Sequence, residues 1–202
     1  MLGLMYLAGI MDYLIIIGLV AWLVSWIAKK NGGTSELWWL ITVVVMLGLV
    51  LWDWPLMEIK FRHNCATQAG FTVNKTLDQW EAENPGIAET LSPTDGAPST
   101  QEGNTTTYSL NQRFNWEITE TPQWFHIRKQ DERIVDKKTG EILAQYIDFN
   151  TDIPPLGLGI KRSGAYKLWM MKGSCERVGH KINRKRFSEF KHLLKYQKEI
   201  NL

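Results

Sequence analysis

Two long apolar segments near the N-terminus constrain this chain more than any other feature of its sequence. The segments are Leu14–Ala28 and Leu37–Trp52, and a polar link at residues 29–36 separates them. The first segment extends back through Leu2–Met11 with a single charged interruption, so it supplies the roughly 20 residues that a helix needs to span a hydrocarbon core. The pattern predicts a helical hairpin in a bilayer.

A cleaved signal peptide and a buried helical hairpin of a soluble domain are the alternatives to a membrane hairpin. A signal peptide has a basic start and a short apolar run, whereas Met1–Gly9 contains no Lys or Arg and the run is longer. A soluble helix carries a polar face, and Leu14–Val24 has none. Aromatic rings typical of membrane interfaces lie toward the segment ends: Trp22, Trp26, Trp38, Trp39, Trp52 and Trp54. We therefore predict a two-helix transmembrane anchor at residues 1–57 and a polar domain at residues 58–202.

The basic residues near the membrane bear on orientation. Lys29 and Lys30 favour a cytoplasmic link and hence an external polar domain. Lys60 and Arg62, just past the second helix, favour the opposite arrangement. Pro55 is expected to end the second helix.

The two cysteines, Cys65 and Cys175, lie far apart in the polar domain. Either they form one disulfide, which closes a loop of about 110 residues and contributes roughly 3 to 5 kcal/mol in an oxidising compartment, or they are two unrelated buried thiols. We favour the disulfide, and therefore a multi-pass bacterial inner-membrane protein with a periplasmic domain.

Asp12 is the charged interruption in the first apolar run. An acid within a membrane is costly enough to indicate a function, such as proton transfer in an ion-driven assembly. The alternative is that Asp12 marks the interface and that the spanning segment begins after it.

The polar domain is predicted to be α+β. A short strand is expected at Phe71–Lys75, and Thr76 with Gln79 forms a capping box for a helix at Leu77–Asn84, which the following Pro-Gly ends. Leu91–Thr107 is rich in small polar residues and is expected to be a flexible loop.

A β signal covers Tyr108–Asn150 and predicts an antiparallel meander of three or four strands. The predicted strands are Phe114–Thr119, Trp124–Lys129, Ile134–Asp136 and Glu141–Phe149, with a turn at Lys137–Gly140. One face is expected to gather Phe114, Trp116, Phe125, Ile127, Ile142, Ala144 and Tyr146. A Pro/Gly loop at residues 152–164 and a last strand at Ala165–Met171 complete the domain.

The C-terminal residues 181–202 predict a basic amphipathic helix. Its apolar stripe is Phe187, Phe190, Leu193, Leu194 and Ile200, and its basic residues are Lys181, Arg184, Lys185, Arg186, Lys191, Lys195 and Lys198. Three interpretations stay open: a helix packed on the sheet with a solvated basic face, a helix on anionic lipid, or a partner-binding helix. Nucleic-acid binding is disfavoured if the domain lies outside the cell.

No motif in the sequence predicts catalysis. The histidines are scattered without metal-ligand spacing: His63, His126, His180 and His192. The sequence has no dinucleotide loop, phosphate-binding loop or nucleophile elbow. We expect no catalytic residue, no metal and no cofactor, and interpret the protein as non-enzymatic.

The order Cys65, Ala69-Gly70, Lys75-Thr76, followed by a meander with an Asp-x-x-Thr-Gly-Glu turn at Asp136–Glu141, resembles a group of uncharacterised small membrane-anchored bacterial proteins. Asn74 stands where that group usually has an aromatic residue. The resemblance implies a bacterial envelope setting and a cysteine-pinned β domain. Small anchored domains of this kind serve, by analogy, as immunity proteins.

The sequence thus leads to a non-enzymatic protein-interaction module at the inner membrane, an immunity or accessory protein that contacts membrane lipid and a protein partner. One alternative is a subunit of a larger membrane assembly that uses Asp12. Another is a cytoplasm-facing protein that binds anionic lipid. The oligomeric state is not predicted.

Overall fold

The computed structural model describes residues 2–94, 96, 99–151, 170–175 and 181–196. In this part of the chain the helices are α1 (Leu2–Lys30), α2 (Ser35–Leu51), α3 (Asp53–Thr67), α4 (Leu77–Glu83) and α5 (Lys181–Lys195). The strands are β1 (Gly70–Val73), β2 (Thr100–Glu102), β3 (Thr105–Ser109), β4 (Phe114–Pro122), β5 (Ile127–Asp136) and β6 (Ile142–Thr151). The fold is α+β, as predicted.

The described residues divide into two compact units. The first is built on residues 2–59, and the second on residues 60–151, 172–175 and 181–196. The predicted boundary between Met57 and Glu58 lies within α3. The predicted loop at 152–164 and residues 165–169 of the predicted last strand lie outside the described residues, as do His180, Lys198 and Ile200.

The first unit joins α1 to α2 through a few polar contacts. The Tyr13 hydroxyl donates to the Met46 carbonyl at 2.6 Å, and the Ser25 hydroxyl donates to the Ser35 carbonyl at 2.7 Å. The second bond lies near the link and the first lies toward the far ends of both helices, so α1 and α2 are antiparallel. Most of the described apolar side chains of these helices are exposed, and α2 has no buried residue.

By length and composition, α1 from Leu7 to Lys30 can cross a membrane. Within the described residues, α2 with α3 passes the same test only as a bent pair. The bend follows from Pro55, which lies in the first turn of α3 and four residues after Leu51. Proline cannot donate to the Leu51 carbonyl and its ring clashes with that group, so α2 ends at Leu51, one residue before the end of the predicted apolar segment. The segment after Met57 continues as helix to Thr67.

The described strands form one antiparallel sheet in the order β1-β6-β5-β4-β3-β2. Strands β2 to β6 are a meander of sequential neighbours, which confirms the predicted meander but with five strands in place of three or four, and β1 pairs with β6 at the opposite edge. Residues 127–129 and 134–136 of two separately predicted strands are parts of the single strand β5. The prediction of strand at 124–126 is wrong, because the chain must reverse there between β4 and β5. Phe125 and His126 make this reversal with φ of 61° and 60°.

The β2–β3 hairpin corrects a second prediction. Residues 100–107 were expected to belong to a loop, yet they pair with each other and with β4. Threonine is β-branched and suits a pleated surface even where water covers it, and the Thr105 and Thr119 hydroxyls bond across the strands at 2.9 Å. Gly103 supplies the positive φ of 57° that the turn requires.

The core of the second unit lies between the sheet and its helices. It consists of Trp80, Leu110, Phe114, Ile134, Leu143, Tyr146, Phe187 and Leu194. The two last residues come from α5, whose Phe187 ring lies 5.5 Å from that of Tyr146 and 5.9 Å from that of Phe71. The described part of the C-terminal helix therefore packs on the sheet, which is the first of its three interpretations.

The predicted sheet face is correct for Phe114, Trp116, Ala144 and Tyr146, which strand pairing places on one side. It is wrong for the remaining three. Phe125 lies in the turn, and Ile127 is buried on the opposite face from Ile134 because seven residues separate them along β5. The register shifts next to Ile134, so Leu143 enters the core where Ile142 was expected.

Candidate functional site

A cleft of about 370 Å³ lies between α5 and the β3–β4 part of the sheet. Aromatic and basic side chains line it: Tyr108, Trp116, Lys191, His192, Lys195 and Tyr196. Every one of these residues belongs to the second unit. The cleft is the concave feature of this unit in which charge and aromatic surface converge, and concave sites with a few convergent polar groups are where ligands usually bind.

Helical spacing brings Lys191 to the sheet. It follows the buried Phe187 by four residues and precedes the buried Leu194 by three, so it lies on the same stripe of α5. Its ammonium nitrogen lies 3.4 Å from the ring centre of Trp116. Trp116 on β4 pairs with Tyr108 on β3, and their rings stack with centres 4.9 Å apart. The result is a cation held over an aromatic pair.

A buried carboxylate on the adjacent strand β5 holds Trp116 of this aromatic pair. Glu132 is fully buried and accepts a hydrogen bond from the Trp116 indole nitrogen at 2.9 Å and another from the Gln130 amide at 3.0 Å. Arg184 on α5 forms an ion pair with the same carboxylate. Glu132 thus positions Trp116, and its charge is balanced by Arg184.

The electrostatics of Lys191 follow from this arrangement. Burial lowers the pKa of the Lys191 ammonium, the Glu132 charge opposes that shift, and the Arg184 and Lys195 charges add to it. Among the residues that the structure describes, no carboxylate lies within ion-pairing distance of Lys191. Since Arg184 already balances Glu132, Lys191 leaves the cleft with an excess of positive charge.

A second polar cluster lies around Asp136 and is structural. The buried Asp136 carboxylate forms an ion pair with Arg113 at 2.8 Å and accepts from the Trp80 indole at 2.9 Å and the Lys138 backbone at 2.8 Å. Burial raises the pKa of Asp136, but the bonds from Trp80, Lys138 and Arg113 outweigh it, so the pKa lies below its ordinary value. These mutual contacts fix the turn between β5 and β6.

Lys75, one residue of the motif that carries the bacterial resemblance, contacts the same turn. Lys75 binds Glu141 at 2.6 Å and Glu83 at 2.9 Å, and its hydrogen bonds to these two carboxylates raise the pKa of the ammonium. Thr76 and Gln79 form the predicted capping box of α4, with distances of 3.3 and 3.0 Å. Residues that are distant in the sequence therefore stabilise one turn, which gives the motif a role in folding.

A disulfide joins Cys65 near the end of α3 to Cys175, with their Cα atoms 5.5 Å apart. Both residues are buried. One Asp148 oxygen accepts from the backbone nitrogens of Cys175 at 2.9 Å and Phe149 at 2.8 Å. Of the two alternatives from the sequence, the structure has the bonded pair.

The remaining predicted site residues that the structure describes lie on α1 and α5. Asp12 is exposed on α1. On α5, Lys185 lies 3.6 Å from Glu189, Lys181 and Arg186 are exposed, and Lys198 is outside the described residues. Arg184 is exposed yet pairs with Glu132, Lys191 is half-buried over Trp116, and Lys195 lies 5.0 Å from the Tyr196 ring centre. That the basic residues of this helix face lipid or a partner stays a prediction.

Sequence reasoning missed Tyr108, Trp116 and Glu132 as site residues. The sequence signal that points to them is the position of Lys191 within the apolar stripe of α5. A lysine at that position requires a partner for its ammonium group on the opposing sheet. In the described ranges, no three or more His, Cys, Asp or Glu side chains are grouped to hold a metal ion.

No protein-family model, curated protein or solved structure matches this chain. A functional proposal therefore depends on the residues themselves. The group resemblance given by the Cys65 motif stays a prediction.

Proposed function

We propose that the protein is a membrane-anchored binding module of the bacterial inner membrane, in which the two-helix hairpin at residues 1–57, built on α1 and α2, crosses the bilayer. The observation that carries the proposal is the exposure of apolar side chains around α1 and α2, such as Leu19, Trp22 and Val44. Large contiguous apolar surfaces of this kind mark contact with lipid or with partners. Lipid can cover these apolar surfaces along the whole length of both helices. The backbone needs no water there, because each helix forms its own backbone hydrogen bonds.

The second unit is proposed to face the periplasm. The Cys65–Cys175 disulfide persists in an oxidising compartment. Lys29 and Lys30 end α1 at the link, and Lys30 lies 5.6 Å from the Trp26 ring centre, a pairing of residue types typical of the cytoplasmic interface. Both observations support the same orientation.

The proposed activity is binding, in the manner of an immunity or accessory protein that occludes a protein partner. The candidate cleft offers cations and aromatic rings to such a partner. The apolar stripe of α5 is used inside the protein, since Phe187 and Leu194 are buried. This use argues against the cytoplasmic alternative, in which that stripe would enter anionic lipid.

Thiol labelling of intact cells tests the orientation. A membrane-impermeant maleimide should fail to label the full chain before reduction, because both sulfurs are bonded, and should label it after treatment with an impermeant reductant. A Cys65→Ser variant is the matched control, and it should label at Cys175 without reductant. Labelling of either chain only after the cells are permeabilised would place the unit in the cytoplasm.

A second candidate function is suggested by Asp12. The bond from Tyr13 to Met46 places Asp12 level with the last turn of α2, about 6 Å inside its end. Asp12 is exposed on α1, and a carboxylate at that depth requires a polar partner. We infer a subunit of a larger membrane assembly as this second function. Replacing Asp12 by Asn would then abolish assembly in native membranes, and an unaffected complex would exclude it.

A further inference from the structure

We propose that the cleft between α5 and strands β3 and β4 binds a phosphate group, with Lys191 as its principal cation. The proposal deepens the proposed binding function by naming the ligand chemistry. It does not depend on which side of the membrane the second unit occupies.

The first step of the argument is charge. Lys191 is held in place by Trp116 at 3.4 Å and by the Phe187 ring at 6.0 Å. Glu132 lies close enough to affect Lys191 electrostatically, but its oxygens are bonded to Trp116, Gln130 and Arg184. An anion that enters the cleft therefore meets a positioned ammonium with which no carboxylate of the described residues is paired.

The second step is the set of neighbouring donors. Lys195 and His192 also line the cleft, with the hydroxyl groups of Ser188 and Tyr108. These groups come from two turns of α5 and from β3, so they approach a ligand from different directions. Such a dispersed set of single donors suits an anion with several acceptor oxygens, such as a phosphate, which a lysine binds as a point charge. Arg184, whose planar fork suits carboxylates and phosphates alike, is already paired with Glu132.

The third step is size. A volume of about 370 Å³ is at the small end of the range for ligand pockets. It accommodates a phosphate with a small organic group, such as a glycerol or sugar phosphate. The same phosphate chemistry is present in a lipid headgroup, so the experiment must separate the two sources.

Calorimetric titration of the full chain in phosphatidylcholine nanodiscs tests the proposal, with glycerol 1-phosphate as the probe and glycerol as the uncharged control. Glycerol 1-phosphate should bind saturably and glycerol should not. Lys191→Met should weaken binding about tenfold or more, since a hydrogen bond to a charged group is lost. Lys191→Arg should retain most of the affinity.

Lys185→Met is the matched control, because Lys185 is on the same helix but its side chain is 79% exposed. It should bind like the wild type. Methionine keeps the apolar stem over Trp116, and thermal unfolding of each variant verifies that the second unit is folded.

A second arm uses nanodiscs with equal phosphatidylglycerol and phosphatidylcholine, followed by native mass spectrometry of the released protein. Lys191-dependent retention of phosphatidylglycerol, without affinity for glycerol 1-phosphate, supports phosphate binding with lipid as its source. Unchanged binding by folded Lys191→Met overturns the proposal. So does Lys191-dependent binding of a polyglutamate peptide in place of either phosphate probe, or binding of no probe. These failures leave the thiol-labelling result unaffected, so they are distinct from failure of the proposed function.

Discussion

The two units of this protein place their apolar side chains in opposite ways. In the first unit, Leu19 is 61% exposed although it lies midway along the apolar part of α1. In the second unit, Phe114, Tyr146 and Phe187 are almost completely buried between the sheet and α5. The same class of side chain is thus outside in one unit and inside in the other.

This contrast is expected if the two units are built for different solvents. A water-soluble domain gains stability by removing apolar area from water, and the second unit does so with a sheet covered by helices. The first unit removes little of its apolar area by contact between α1 and α2. Its exposed apolar surface is explained if lipid is its solvent, as we propose.

The largest expected effect is on the buried ion pair of the second unit. Arg113→Met leaves the Asp136 carboxylate buried without its cation, so the free energy of unfolding should fall by about 3 to 5 kcal/mol. Arg133→Met is the control, because Arg133 pairs with Asp131 but is 39% exposed, and it should cost about 1 kcal/mol or less. Chemical denaturation, monitored by hydrogen exchange in each unit, measures the free energy of unfolding of both variants. Equal losses in the two variants would contradict the role given to Asp136.

A pair of equally exposed residues sharpens the contrast between the units. Leu19 on α1 and Ile182 on α5 are 61% and 62% exposed. An arginine at the centre of a spanning helix costs about 2.5 to 3.5 kcal/mol, whereas most surface changes in water fall within about 0.5 kcal/mol.

Leu19→Arg should therefore make membrane insertion of α1 less favourable by about 2.5 to 3.5 kcal/mol. Ile182→Arg should leave insertion unchanged. The fraction of chains integrated into membranes gives the apparent insertion free energy for each variant. If the two substitutions behave alike, exposed apolar side chains of the two units meet the same solvent.

Loss of the disulfide should destabilise the second unit alone. Replacing Cys65 and Cys175 together by serine should lower its free energy of unfolding by about 2 to 4 kcal/mol, because the unfolded chain gains the freedom that the crosslink removes. Hydrogen exchange should accelerate in residues 60–151, with α1 and α2 unchanged in detergent micelles. An unaltered exchange rate in residues 60–151 would show that the crosslink is not part of the stability of that unit.

The smallest expected effect is the acid sensitivity of the Asp136 cluster. The folded-state pKa of Asp136 is lowered, so its contribution to stability is present above the ordinary value near 4 and is lost as the pH falls through the lower folded-state pKa. Denaturation at pH 7 and pH 3 should show this loss, with the difference between wild type and Arg113→Met narrowing at pH 3. A difference that stays constant or widens at pH 3 contradicts the assigned sign.

Local patterns were sufficient to predict much of the second unit. The capping box at Thr76 and Gln79 is a contact between neighbours, and the meander follows from alternation along β4 and β6. The β2–β3 hairpin could not be found in this way, since all three residues of β2 are exposed and lack apolar alternation. The reversal at Phe125 was hidden because the apolar residues around it alternate as they would in a strand.

The candidate cleft was also beyond local patterns. Lys191 and Trp116 are 75 positions apart, and only the packing of α5 against the sheet brings them together. The sequence showed Lys191 as one of several lysines on a basic helix. Its special position follows from Phe187 and Leu194, which turn that side of the helix toward the core.

Extraction of the full chain from cell membranes tests the central claim most directly. The protein, expressed at low level, is recovered in the membrane fraction, washed with alkaline carbonate and then treated with detergent. The proposed lipid solvation of α1 and α2 predicts that the chain stays with the membranes through the wash and is released only by detergent. A protein that is monomeric and soluble without detergent would contradict it.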